Sequence, residues 1–442
     1  MSSGGDSDPT LERLFNGHKG EITGLSFNPD ATQLVSCSTD ASLMLWNFKK
    51  EARAYKYENH TDSVTDVHFA HSHKMLASCS KDRTVRLWKL SIKPRSRGFK
   101  AHTSAIRSVQ FSPDSSSFIT ASNDKNIKMW LSEHCNRFLT TYHGHTNWVN
   151  CARFSHASRL IVSCSEDKTV KLWDKLSGCC IHTYQEPEGV PQYVQFHPND
   201  KCIAVCLSDN SIKIYDIRDH KLRQYYPAHN KAVNQICFHP NGKFLISGSN
   251  DKNVKVFDLI EGRVIYTLEG HEGPVTSVVF SSDGHLFASG GADRMVLVWK
   301  SNFDKEVLAN PLDTSFNIKH INVSSERQVQ RVDVRPEFQG MSQPDIEVSS
   351  TGNMNSDSSD EGKNSNIEGS GPPSTSSISE ESLETRDIDN YDDELKMARN
   401  ILSSLKVDVQ NLQSQLANVI DKIKDLEKRT DRMESNEILN NE

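Results

Sequence analysis

An aspartate recurs along this chain at a nearly constant interval: Asp40, Asp82, Asp124, Asp167, Asp209, Asp251 and Asp293, 42 residues apart at every step but one of 43. Six residues after each stands an aromatic ring: Trp46, Trp88, Trp130, Trp173, Tyr215, Phe257 and Trp299. Upstream, in fixed register, stands a histidine: His18, His60, His102, His145, His229 and His271, with Pro187 in its place in the fifth unit. So strict a period leaves few architectures open, because each unit is one supersecondary structure that repeats around or along an axis.

Within a unit the pattern is that of strands. After His60 comes SVTDVHF, with Val64, Val67 and Phe69 apolar, then polar HSHK, then MLASCS, then a turn at Asp82 and Arg83, then TVRLW. Short β-branched runs broken by polar turns read as strands. Aspartate suits a tight turn because its carboxylate accepts the turn's own amides. A period in the low forties with an early histidine and a late Trp marks a four-stranded propeller blade. The segments SCSKDRTVRLW (Ser78–Trp88) and SCSEDKTVKLWD (Ser163–Asp174) resemble the WD40-repeat family, over roughly Leu11 to Asn302. The first unit opens with LERLFNGH, a strand before a histidine, and nothing of that kind follows Trp299. In propellers of this family the first strand completes the last blade, which removes the free edge. The expected fold is therefore all-β: a seven-bladed propeller over residues 10–302.

The resemblance also implies a hydrogen-bonded set in each blade, with a serine or threonine four residues before the aspartate: Ser36, Ser78, Thr120, Ser163, Ser247 and Ser289. Trp donates its N–H, the hydroxyl relays, and the histidine passes the chain on to the carboxylate. Blade five lacks the histidine (Pro187), the serine (Val205) and the Trp (Tyr215) together, as expected of residues that act as one network. Blade six keeps His229 and Ser247 but carries Phe257, which has no donor, so a shortened network is expected there. Ser, His and Asp are also hydrolase residues. Here the set recurs in six blades whereas an enzyme needs one site, and neither a G-x-S-x-G elbow nor a phosphate-binding Gly-rich loop is present. No catalytic residue, cofactor or metal site is expected. Cys37, Cys79, Cys164 and Cys206 each stand three residues before a blade aspartate, where the other blades put Ala121, Gly248 and Gly290. That register asks for a small buried side chain. No C-x-x-C pair occurs, and reduced cysteines point to the cytosol. No run approaches the ~18 apolar residues of a membrane span.

Binding is the remaining class. Three residues after each histidine position the chain reads Glu21, Ser63, Ala105, Trp148, Val190, Ala232 and Pro274, so one unit places a tryptophan beside a loop. Trp is the residue type most enriched in binding hot spots. With Lys81, Asn123 and Glu166, which precede turn aspartates, Trp148 forms the expected partner patch. A second candidate is KPRSRGFK, read as a basic connection between two strands of blade two, with Lys93, Arg95 and Arg97 facing an acidic partner such as a tubulin tail. No aromatic platform or DNA-reading helix accompanies it, so nucleic acid is disfavoured.

Composition changes beyond Asp304. Residues 341–393 hold 13 Asp/Glu against 2 Lys/Arg, and without them the net charge of −7 becomes +4. Such a stretch cannot bury a core. The expected boundaries are a disordered start at 1–9, the propeller at 10–302, a disordered acidic linker at 303–390, a coiled coil at 391–434 and a disordered tail at 435–442. The coiled coil rests on apolar heptad positions, among them Leu402, Leu405, Val409, Leu412, Leu416, Val419, Ile423 and Leu426. Val409 and Ile423 at one core position and Leu412 and Leu426 at the other favour a dimer, while Leu416 with Val419 keeps a trimer open.

This order of parts, with FNGHKGEITGLSFNPD and SGSNDKNVKVFD among the repeats, is similar to the centriolar WD40 proteins of the proteome-of-centriole family. The resemblance implies a non-enzymatic scaffold of centrioles and basal bodies that supports their assembly and stability and the formation of cilia. It implies centriolar proteins as partners, with microtubules or tubulin as further candidates. Two rival readings are a substrate receptor of a cullin-type ubiquitin ligase, for which only YDIR (Tyr215–Arg218) comes near the expected ending, and a nuclear or RNA-processing scaffold.

Overall fold

The computed structural model describes residues 8–48, 53–72, 75–89, 95–132, 137–227, 229–303, 321–322, 330–333, 343–344 and 346–348. Its first 28 strands form seven four-stranded antiparallel blades. In each blade the first strand is innermost and packs on the first strands of its neighbours, as Ile22–Phe27 does on Val64–Phe69 and Val275–Phe280. The second strands are buried almost throughout, because neighbouring blades cover both faces. Between blades one and two, Val35, Cys37, Leu43 and Tyr57 meet Val64, Val67, Leu76 and Trp88 in one apolar cluster. The small-residue register has a physical cause in the same packing. A Cβ on Gly248 would lie 2.7 Å from Val275, and one on Gly290 2.6 Å from Ile22, both on the next blade's inner strand. Cys37, Cys79, Cys164 and Cys206 fill this position with no solvent exposure.

The ring closes as expected. Thr10–Asn16 pairs antiparallel with Met295–Lys300 and supplies the fourth strand of blade seven, burying Leu11, Leu14 and Phe15. Packing on the propeller already involves residues before 10: Pro9 is buried, and Asp8 accepts hydrogen bonds from Tyr266 and Asn302. Arg153 of blade four donates past blade three to Asp66 of blade two (2.9 Å) and to the Tyr193 hydroxyl of neighbouring blade five (3.0 Å).

Two expectations need correction. Part of the stretch expected to be a structureless linker is strand: Ile321–Asn322, Gln330–Asp333 and Ile346–Val348 run parallel to the outer strands of blades five, six and one. These edges carry unpaired backbone groups, and a few residues of added strand satisfy them without a core of their own. Basic KPRSRGFK is also no connecting loop over its described part, since Arg95–Lys100 is itself the outer strand of blade two. Phe99 anchors it, packing 4.8 Å from Trp130 on blade three. Lys93 and all the coiled-coil positions from Leu402 to Leu426 lie outside the described residues.

Candidate functional site

The histidine loops and the aspartate turns meet at one end of the blades. Each turn aspartate is followed by a residue with φ between 60° and 73°, and none of the seven is glycine. The turn holds because one carboxylate oxygen accepts the amide two residues on, as from Ser42, Thr84 and Thr169, at 2.8–3.0 Å. The other oxygen accepts the histidine and the amide just after it: His60 at 2.9 Å and Thr61 N at 3.2 Å for Asp82. Behind this, His60 Nε2 lies 2.8 Å from Ser78 Oγ, which takes the Trp88 N–H at 2.9 Å. The relay is complete in blades one, two, three, four and seven, with Trp N–H to hydroxyl distances of 2.8–3.0 Å. Blade six holds the shortened version: His229 reaches Ser247 and Asp251, and the Phe257 ring packs edge-on against Tyr226.

In blades two, three and six, electrostatics fit a neutral histidine beside an ionised aspartate. Burial lowers the pKa of His60, His102 and His229, against the opposing pull of their aspartates. Burial alone would raise Asp251, but hydrogen bonds from His229 and from the Asn230 and Asn253 amides hold it at about 2. The serines that might suggest a nucleophile have no solvent exposure, and Ser36, Ser78, Ser163 and Ser289 accept the indole N–H. No substrate can reach them there, so the set is scaffolding.

Blade five has a substitute that its sequence register concealed. Glu186, one residue before the histidine position, is fully buried. The Tyr215 hydroxyl donates to one of its oxygens at 2.5 Å and Lys213 pairs with the other at 2.7 Å. Asp209 still organises its turn through Ser211. In YDIR, Arg218 is paired with Asp216 at 2.6 Å and Tyr215 faces Glu186, so both ends of that motif are engaged within the chain.

On the same end of the ring Trp148 is 46% exposed. Arg107 lies 5.5 Å from its ring centre and donates to Asn123 at 2.8 Å. The Glu166 amide binds the Trp148 carbonyl, and its carboxylate accepts from Asn150, which also reaches Pro191 O on blade five. The structure thus joins three of the four expected patch residues, Trp148, Asn123 and Glu166, through Arg107 and Asn150, which sequence reasoning did not single out. Lys81 is exposed on blade two, held by its amide to Ser63 O, without a hydrogen bond to the other three. Arg97 is exposed on the outer strand of blade two, away from this face. An exposed indole flanked by a guanidinium and a carboxylate is equipped to grip a protein surface by apolar contact and charge-assisted hydrogen bonds.

Comparison with known proteins agrees with this geometry. The WD domain, G-beta repeat family model matches residues 9–47 and 52–89, and the model of the nucleolar protein 10-like N-terminal domain matches residues 100–302. The chain thus folds into a seven-bladed β-propeller whose first two units match the WD40 repeat. Within that class it resembles centriolar WD40 proteins. It is 56% identical over 50 residues to POC1 centriolar protein homolog B of Xenopus laevis, 11% of either chain. It is 55% identical over 56 residues to POC1 centriolar protein homolog A of Danio rerio, 13% of either chain. To the POC1 centriolar protein homolog of Drosophila melanogaster it is 48% identical over 50 residues, 11% of this chain and 13% of that one. The matched stretch spans about an eighth of these relatives' length.

Proposed function

We propose that this chain is a non-enzymatic scaffold of the centriole and basal body. Its propeller would bind a centriolar or microtubule-associated protein through the face around Trp148. Its C-terminal heptads would join copies, a dimer before a trimer, and the assembly would support centriole stability and cilium formation. The observation that carries this reading is the identity of about half to centriolar proteins over a repeat segment, in a ring whose Ser-His-Asp sets are buried scaffolding. Linking two modest sites through paired helices raises apparent affinity ~10²–10⁴-fold without new contacts, which suits the holding of a repeating polymer.

A second reading, a nucleolar or RNA-processing scaffold, is favoured by the match of residues 100–302 to the nucleolar protein 10-like domain. Imaging the tagged full chain separates the two. Paired perinuclear dots and cilium bases are expected, and confinement to nucleoli would replace the centriolar reading with the nucleolar one.

A further inference from the structure

The tail shows how this ring accepts an added strand. After blades five and six, the chain passes blade seven, where the Gln343 side-chain amide imitates a strand: Oε1 accepts Asn16 N at 2.9 Å and Nε2 donates to Leu14 O. It then pairs with blade one. Four consecutive blade edges are engaged in this way. Among the described residues, nothing pairs with the edges of blades two, three and four, Arg95–Lys100, Phe138–Tyr142 and Cys180–Gln185.

Side chains at matching positions differ accordingly. On blades five and six, Leu222, Val264 and Ile265 are partly covered, and Ile265 shares a cluster with Val332 of the tail. On blades three and four the equivalent positions hold Phe138, Leu139 and Ile181, 50%, 41% and 50% exposed. Leu176, 94% exposed, stands in the hairpin turn before Ile181, and that turn abuts blade three through the Tyr142 hydroxyl on Lys175 O. The three bare strands read RSRGFK, FLTTY and CIHTYQ, with no Asp or Glu; exposed Arg97 and Lys100 stand on the first of them, on blade two, and exposed Arg137 directly precedes the second, on blade three. The tail segments that pair elsewhere read IN, QRVD and IEV, and the two longer ones set β-branched residues beside acids. The stretch that follows, SSTGNMNSDSSDEGKNSN, has no such alternation.

We propose that the outer edges of blades three and four dock an extended segment of a partner protein, with β-branched residues alternating with acidic ones, added as a parallel fifth strand. Main-chain hydrogen bonds supply affinity in this mode, and alternate side chains supply choice of partner. The apolar residues of the segment cover Phe138, Leu139 and Ile181, and its carboxylates meet the bordering cations.

The test uses the full chain and, as probe, a synthetic peptide of residues 342–349, SQPDIEVS. Hydrogen exchange is followed at residues 138–142 and 180–185. The peptide is expected to slow these amides about tenfold. The slowing should vanish with a peptide whose two acids are replaced by lysine, and in the Leu139→Asp/Ile181→Asp and milder Ile181→Ser variants. No slowing at saturating peptide overturns the proposal. So does slowing confined to residues 54–58, which is mere exchange with the chain's own segment, and so does protection already complete in the free chain, which means its own later residues fill the edge.

Discussion

In blade four the Trp173 N–H ends in a relay of Ser163, His145 and Asp167, each link 2.8–2.9 Å long. In neighbouring blade five the Tyr215 hydroxyl reaches a carboxylate directly, Glu186, which Lys213 neutralises. Where blade four has Ser163, blade five has Val205, also fully buried. Both blades face one constraint: an aromatic donor on the third strand is sealed between blades and needs an acceptor. Blade four meets it with a chain of modest groups that ends at a half-buried turn, blade five with one fully buried charge and its counter-ion. The ring demands satisfaction of the buried donor, and the particular residues are one solution among at least two.

This contrast can be broken by substitution. The largest effect is expected from Glu186→Ala, which strands the Lys213 ammonium and the Tyr215 hydroxyl. A loss of ~3–5 kcal/mol by denaturant unfolding is expected; a loss below about 1 kcal/mol would mean that solvent reaches this pair and the contrast is false. Next comes Ser163→Val, which copies Val205 into blade four and leaves the Trp173 N–H and a histidine nitrogen unpaired, at ~2–4 kcal/mol. Trp173→Phe, which copies Phe257 of blade six, removes the donor along with its demand and should cost only ~1–2 kcal/mol, mostly lost packing. If Trp173→Phe proves costlier than Ser163→Val, packing and not donor satisfaction governs the position.

Acid sharpens the contrast. His60, His102 and His229 have folded-state pKa values below the ordinary 6.5, so the unfolded chain binds protons that the folded chain refuses. Their stabilisation is complete above 6.5 and falls as pH drops below it. Asp251, at about 2 against an ordinary 3.8, adds a second decline between those values. Melting temperature against pH should show both declines. Flat stability from pH 7 to 4 would indicate histidines charged in the fold.

The parts that repeat were legible from sequence. Seven copies of one register announce the blades, and the resemblance to WD40 repeats that those copies carry implies the closure by Leu11–His18 and the relay from Trp to Asp. What occurs once was hidden. Glu186 sits one residue off the register, and nothing marks it as the replacement for a histidine. Arg153 and Asp66 are 87 residues apart and meet only past blade three. The tail strands are two to four residues long and borrow edges built elsewhere, so no periodicity precedes them. In blade two, the cations of Arg95–Lys100 gave the look of a solvated loop to what is an edge strand. The exposed Trp148 was legible as the odd member of its register, but Arg107, which links it to Asn123, was not.

The smallest stability change is expected at that tryptophan, and it carries the functional claim. Trp148→Ala removes a half-exposed side chain and should shift stability by no more than ~0.5 kcal/mol. In cells whose own copy is replaced by the tagged variant, the intensity of centriolar dots should fall several-fold at unchanged melting temperature. Dots of undiminished intensity would contradict a binding face built around Trp148.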